Sequence, residues 1–127
     1  MVARSLFLHL KPNRVEEFTR IIEQEVIPMI RGLKGFQDKI VLVTAGGLEA
    51  IGLSFWDRKE DAEAYGRGKF RQVVKALATV VEGAPRVETR EVSNSTFHKI
   101  PDHAAVEGPR LFDPARLVNA GHPHLVR

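Results

Sequence analysis

Apolar and polar side chains alternate along residues 2–10, with Leu6, Leu8 and Leu10 on one side and Ser5, Phe7 and His9 on the other. A period of two predicts a β-strand, and one that is apolar on both sides needs cover on both. Lys11-Pro12-Asn13 closes this strand, and Pro12 or Asn13 can open a helix. The period then lengthens. Val15, Phe18, Ile22, Met29 and Leu33 recur at helical spacing, with Ile21, Val26 and Ile30 widening the stripe and Glu16, Glu17, Arg20, Glu23 and Arg31 opposite it. This predicts a long amphipathic helix to about residue 31. Pro28 lies inside it, where it removes a backbone donor and crowds the carbonyl of Gln24. A kink, or a turn of altered winding, is expected over Gln24–Pro28. Gly32 and Gly35 follow as left-handed stop positions.

Residues 36–44 and 49–56 are rich in β-formers, and Ala45-Gly46-Gly47-Leu48 between them reads as a hairpin turn. Asp57 with Glu60 resembles a capping box. The helix it opens carries Ala62 and Tyr65, breaks at Gly66-Arg67-Gly68, and resumes through Phe70, Val73, Val74, Leu77 and Val81 until Gly83-Ala84-Pro85. Residues 86–97 read as the last strand, with Asn94, Ser95 and Thr96 expected to make turn or bulge hydrogen bonds.

Strand, helix, strand, strand, helix, strand is the order of an α+β, ferredoxin-like βαββαβ subunit. It forms a four-stranded antiparallel sheet with both helices on one face. The other face should then be polar, yet Leu6, Leu8, Leu10, Ile51, Leu53 and Phe55 each lie on one side of their strands, and Phe7, Val41, Val43 and Trp56 add to the apolar total. No element remains to cover a second apolar face. A second copy of the chain is the economical cover, giving a homodimeric α/β barrel.

Composition narrows the chemistry. The 127 residues are 43% hydrophobic and 28% charged, the balance of one globular domain. No window approaches a membrane span, and Met1-Val2-Ala3-Arg4-Ser5 lacks the pattern of a signal peptide, so a cytoplasmic setting is expected. The absence of cysteine excludes thiolate metal sites, disulfides and cysteine nucleophiles. A net charge of +3 with interspersed signs, and no aromatics between Arg67, Lys69, Arg71 and Lys75, gives no footprint for nucleic acid. Residues 1–98 form the domain. Residues 99–127 hold four of the seven prolines and three of the five histidines and read as a Pro-rich tail packed on the domain or on a partner subunit. His122-x-His124 in this tail lacks further ligands, as do His98 and His103, so no metal is expected.

Three segments carry a family resemblance. They are Glu25-Val26-Ile27-Pro28-Met29-Ile30-Arg31 followed by Gly35-Phe36, then Ser54-Phe55-Trp56 running into Asp57-Arg58-Lys59-Glu60-Asp61-Ala62, and Val92-Ser93-Asn94-Ser95-Thr96-Phe97-His98. Together they resemble the antibiotic-biosynthesis monooxygenase family of dimeric α+β barrels, and the last resembles its uncharacterised members. The family includes cofactor-independent quinone-forming oxygenases and haem degraders. Aligned with the haem degraders, Ser5, Tyr65 and Val74 stand where asparagine, an aromatic residue and the iron-ligating histidine are found. Valine cannot ligate iron, so no haem, and no other cofactor, is expected.

The resemblance implies a cleft between sheet and helices. On strand parity, Ser5, Phe7, His9, Ser54 and Trp56 would face it, with Tyr65, Phe70 and Val74 lining it from the helices. His9 is the candidate general base for a phenolic or enolic proton; otherwise it is a half-buried histidine hydrogen-bonded to its surroundings. Tyr65 is the candidate donor to a developing oxyanion, or else a rim tyrosine. Trp56 either stacks on a planar ligand or fills the core. The expected activity is cofactor-independent monooxygenation of a small aromatic or polyketide-like substrate. The alternative is a homodimer that binds a small molecule without turnover, or is purely structural. Gly66-Arg67-Gly68-Lys69 is either a small anion nest or a helix break.

Overall fold

A computed structural model describes residues 1–100 and divides the chain into Met1–Val92 and Ser93–Arg127. The expectations for the tail, including its packing and the histidines 103, 122 and 124, lie outside the described residues. In Met1–Val92 the order is β1 (Val2–Leu10), α1 (Val15–Ile21), a π-helical turn (Ile22–Val26), α2 (Ile27–Arg31), β2 (Phe36–Val43), β3 (Glu49–Trp56), α3 (Lys59–Arg67), α4 (Phe70–Leu77) and β4 (Val81–Glu91). The strands form one antiparallel sheet in the order β2-β3-β1-β4. This is the ferredoxin-like arrangement that the pattern predicts.

The first helical run shows how Pro28 is accommodated. The backbone widens into the π turn over Ile22–Val26, directly before α2, and Pro28 falls within the first two positions of α2. The altered winding therefore sits where the missing donor requires it, and the apolar stripe continues through it to Ile30, which is fully buried. The run ends at Arg31, as expected. Gly35 is the left-handed residue that follows, at φ 79°, whereas Gly32 at φ −93° is not. A Cβ at Gly35 would also overlap the Asp61 carboxylate, so this site tolerates only glycine.

Three boundaries differ from the sequence reading. Asp57 does not cap α3, which has Arg58 at its N-cap and no side-chain cap bond. Instead the Asp57 carboxylate accepts a hydrogen bond from Gln37 Nε2 at 2.6 Å, and its N–H donates to the Gly35 carbonyl. The second helical run stops at Leu77, and Val81 and Gly83-Ala84-Pro85 belong to β4. Gly83, at φ 72°, marks the irregularity where the β1–β4 register shifts between Phe7 and His9. Finally, β4 ends at Glu91 rather than 97. In the second unit Ser95 Oγ accepts the N–H groups of Phe97 and His98 at 3.0 Å each, a local turn that competes with strand pairing.

The assignment of sheet faces is the main correction. Leu6, Leu8 and Leu10 pack into the core with Phe18, Ile21, Val26, Ile30, Val73 and Leu77, so the even positions of β1 face the helices. Register then fixes the rest. Val2 opposes Trp56, Arg4 opposes Ser54, and Leu8 opposes Ala50, while Ser5 opposes Leu53 and Phe7 opposes Ile51. Ser5, Phe7 and His9 therefore share the far face of the sheet with Ile51, Leu53 and Phe55. The sequence reading had put Leu6, Leu8 and Leu10 on that face and Ser5, Phe7 and His9 under the helices. The helices, being covalently attached, take the more apolar side of β1.

Candidate functional site

On the helix-facing side, the sheet carries one row of polar residues among its apolar ones. Lys39 on β2 opposes Ser54 on β3, and Ser54 opposes Arg4 on β1, so the three lie side by side across three strands. The neighbouring row is Phe36 and Trp56, and the row beyond is Val41, Gly52 and Leu6.

Aromatic rings close over this row. Trp56 is fully buried, and its indole Nε1–H donates to Ser54 Oγ at 2.9 Å, which satisfies the one polar atom of the ring. The indole stacks on Tyr65 of α3 with centroids 5.0 Å apart and 25° between planes. Phe36 meets Trp56 edge-on at 5.5 Å, and Phe70 of α4 meets Tyr65 edge-on at 5.8 Å. Arg4 lies against the end of this series. Its guanidinium carbon is 4.5 Å from the Phe70 centroid and 5.4 Å from that of Tyr65.

Two glycines make room for the cations. A Cβ at Gly66 would stand 2.9 Å from Arg4 Nη1, and one at Gly52 would stand 3.3 Å from Lys39 Nζ. Gly66, inside α3, therefore leaves space for the Arg4 side chain, and the helix breaks at Gly68-Lys69 rather than from Gly66 as the sequence suggests. Among the described residues, no carboxylate lies within ion-pair distance of Arg4 or Lys39. Burial disfavours their charged forms and holds Lys39 down to about 8, with the Arg4 charge adding to the effect. Burial likewise lowers Arg4, opposed by Tyr65. Burial pushes the Tyr65 phenol up to about 12, with Arg4 pulling the other way. At neutral pH Tyr65 is thus a hydrogen-bond donor.

The residues expected to line one cleft are divided between the two faces of the sheet. Trp56, Ser54, Tyr65 and Phe70 come together as described. Val74, one helical turn beyond Phe70 on α4, borders an apolar cavity of about 170 Å³ with Leu6, Leu8, Leu77 and Val81. Ser5, Phe7 and His9 are on the far face. There Phe7 lies under the Arg86 guanidinium, 4.1 Å from its centroid. Arg86 and Arg90 both pair with Glu88 on the same strand. The His9 side chain is 69% exposed, with Nδ1 3.8 Å from Glu49 Oε2. It borders an open depression of about 770 Å³ with Thr44, Leu48, Glu49 and Glu82, far along the sheet from Trp56 and Tyr65. His9, Trp56 and Tyr65 do not share a cavity.

Arg4 and Lys39 are the site residues that sequence reasoning missed. The available signal was a charged residue at mid-strand in the same parity as Leu6 and Leu8, and another at mid-strand on β2. Among the described residues no group of His, Asp and Glu is disposed to hold a metal ion, and no helix is long and apolar enough to cross a membrane.

No protein-family model matches the chain, and no curated protein does. Solved structures do match. A monooxygenase from the gene ActVA-Orf6 of Streptomyces coelicolor, in complex with nanaomycin D, superposes with a TM-score of 0.64 at 13% identity, covering 77% of this chain and 92% of its own. A protein provisionally named an antibiotic biosynthesis monooxygenase, from Bordetella bronchiseptica, gives 0.62 at 12% identity over 72% of this chain and 95% of its own. A protein of unknown function from Nitrosomonas europaea gives 0.62 at 16% identity over 75% and 91%. The chain therefore has the α+β fold of the antibiotic biosynthesis monooxygenases, in agreement with the resemblance its sequence carries. At these identities the likeness establishes the fold, and the chemistry has to come from the residues themselves.

Proposed function

We propose that this protein is a cofactor-independent monooxygenase of small aromatic substrates, working as a cytoplasmic homodimer. The supporting observation is the wall formed by Trp56, Tyr65 and Phe70 with the Arg4 guanidinium laid against its end, at the place where sheet and helices meet. A guanidinium stacked on an aromatic face occupies the kind of slot a planar ligand takes. In such a reaction the substrate gives up a proton to water and binds as an electron-rich anion, which reduces dioxygen directly. One oxygen atom ends in a new carbonyl and the other in water, so the substrate supplies all four electrons. Arg4 and Lys39 favour the anion, and Tyr65 offers a proton to the developing oxyanion. His9, exposed on the opposite face, has no part in it.

A second reading rests on one observation. Trp56 has no exposed surface and its contacts close the aromatic stack, as in an ordinary core. That favours a homodimer without catalysis. Oxygen consumption with a panel of hydroquinones and anthrones separates the two. The proposed enzyme consumes oxygen above the uncatalysed background, and His9→Ala consumes it at the wild-type rate. No uptake by the purified protein favours the non-catalytic reading, and loss of uptake in His9→Ala restores His9 as the base.

The homodimer is proposed on the far face. Phe7, Ile40, Ile51 and Leu53 are only half-buried there, and Leu42 is 50% exposed. Such an apolar sheet face in water is costly, and a second copy is a self-complementary cover. Sedimentation equilibrium should give twice the 14.2 kDa chain mass, and Leu53→Asp should shift it toward the single chain. A stably folded single chain at micromolar concentration overturns the dimer.

A further inference from the structure

We propose that Arg4 and Lys39 form a paired cation site for a planar aromatic anion, a carboxylate or phenolate, whose ring takes the place against Phe70 and Tyr65 that the Arg4 guanidinium now covers. This names the substrate class of the site above and rests on that reading for its location.

Geometry carries the assignment. The two cations flank Ser54 in one cross-strand row, both on the side of the sheet that faces the helices. Neither has a carboxylate at ion-pair distance among the described residues, although other cations of the chain do, such as Arg14 with Glu17 and Arg86 with Glu88. A positive charge withdrawn from water without a counter-ion is unfavourable, and two together repel as well. The backbone nevertheless accommodates both, with glycine at each of the two positions where a side chain would crowd a cationic head. An anion placed between them removes both penalties at once. Size and shape follow from the neighbours. The faces of Phe70 and Tyr65 accept a flat ring, the Ser54 hydroxyl already serves the Trp56 indole, and Arg4 is free to swing from stacking to a bidentate grip on two oxygens. A neutral aromatic of the same shape would displace Arg4 and gain nothing from either charge.

Trp56 is the single tryptophan, so its indole N–H gives one cross-peak in a nitrogen–proton correlation spectrum, located beside the site. The full chain is titrated with 2-naphthoate and, separately, with its neutral isostere 2-naphthamide. The expected result is a saturable shift of the Trp56 cross-peak with naphthoate and binding about tenfold or more weaker with naphthamide. Lys39→Met and Arg4→Gln should each weaken naphthoate about tenfold, Lys39→Met should leave naphthamide unchanged, and Lys39→Arg should restore much of the loss. Equal affinity for the two probes overturns the proposal, as does absence of any shift, or naphthoate binding that both charge-removing variants leave intact. The dispersion of the remaining peaks reports whether each variant is folded. Charge-selective binding without oxygen uptake supports this site and overturns the oxygenase reading. Oxygen uptake without charge selectivity overturns this site alone.

Discussion

Trp56→Ala is expected to lower the free energy of unfolding by about 3–5 kcal/mol, the range for emptying a buried aromatic site. The indole is fully buried, touches Phe36 and Tyr65 through its ring, and donates to Ser54 Oγ. The hole would lie where β2, β3 and α3 meet. Trp56→Phe keeps most of the ring volume but leaves Ser54 Oγ without its donor, and a smaller loss of about 1–3 kcal/mol is expected. Urea unfolding followed by far-ultraviolet circular dichroism measures both, since neither variant retains a tryptophan. A loss under about 1 kcal/mol for the alanine variant would mean that the stack is loosely packed and that ligand has room beside it.

Lys39→Met is expected to do the opposite and stabilise the protein at neutral pH. Lys39 loses its proton near pH 8 in the folded chain instead of near 10.5, because burial disfavours the ammonium. Taken at face value that depression corresponds to about 3 kcal/mol, and the partial exposure of the residue reduces it, so a gain of about 1–3 kcal/mol is expected. The sign with pH follows from proton counting. Below pH 8 both folded and unfolded chains carry the charge, and the full cost of burying it is present. Between about 8 and 10.5 the unfolded chain holds the extra proton, so wild-type stability rises with pH and the advantage of Lys39→Met shrinks. Tyr65 acts in the other direction from about 10 to about 12, where the unfolded phenol ionises first, but it is common to both proteins and cancels in their difference. Melting temperatures of the pair from pH 7 to 10 test this. A gap that does not narrow means that the ammonium is solvated in the folded state, and the buried-cation argument for a ligand goes with it.

The two variants also separate parts of the site that read alike in sequence. Trp56 is visible as a candidate because a large aromatic at a strand–helix junction is either core or ligand wall, whereas Tyr65 reads equally as a rim residue and only the structure buries it. Arg4 and Lys39 are not among the candidates that the sequence offers. Neither attracts notice until the register places both beside Ser54, because the penalty on a buried cation depends on what lies across the sheet and has no local signature. His9 shows the converse. A lone histidine in an apolar strand looks catalytic, and its position on the exposed face follows only from which side the helices take.

The order of elements, the altered winding before Pro28, the hairpin at Gly46-Gly47, the stop at Gly35 and the interruption of the second helical run near Gly68 are all legible in the chain, because each is set by side-chain period or by backbone freedom within a few residues. The sheet face that each strand turns to the helices is different in kind. β1 carries apolar residues on both sides, so its own pattern does not say whether the helices or a second copy take the richer one, and a choice one residue out exchanges every contact. That choice was made by tertiary packing, when the stripe of the two helical runs settled on Leu6, Leu8 and Leu10. It carried Arg4, Lys39, Ser54 and Trp56 beneath the helices and left Phe7 and His9 on the far side.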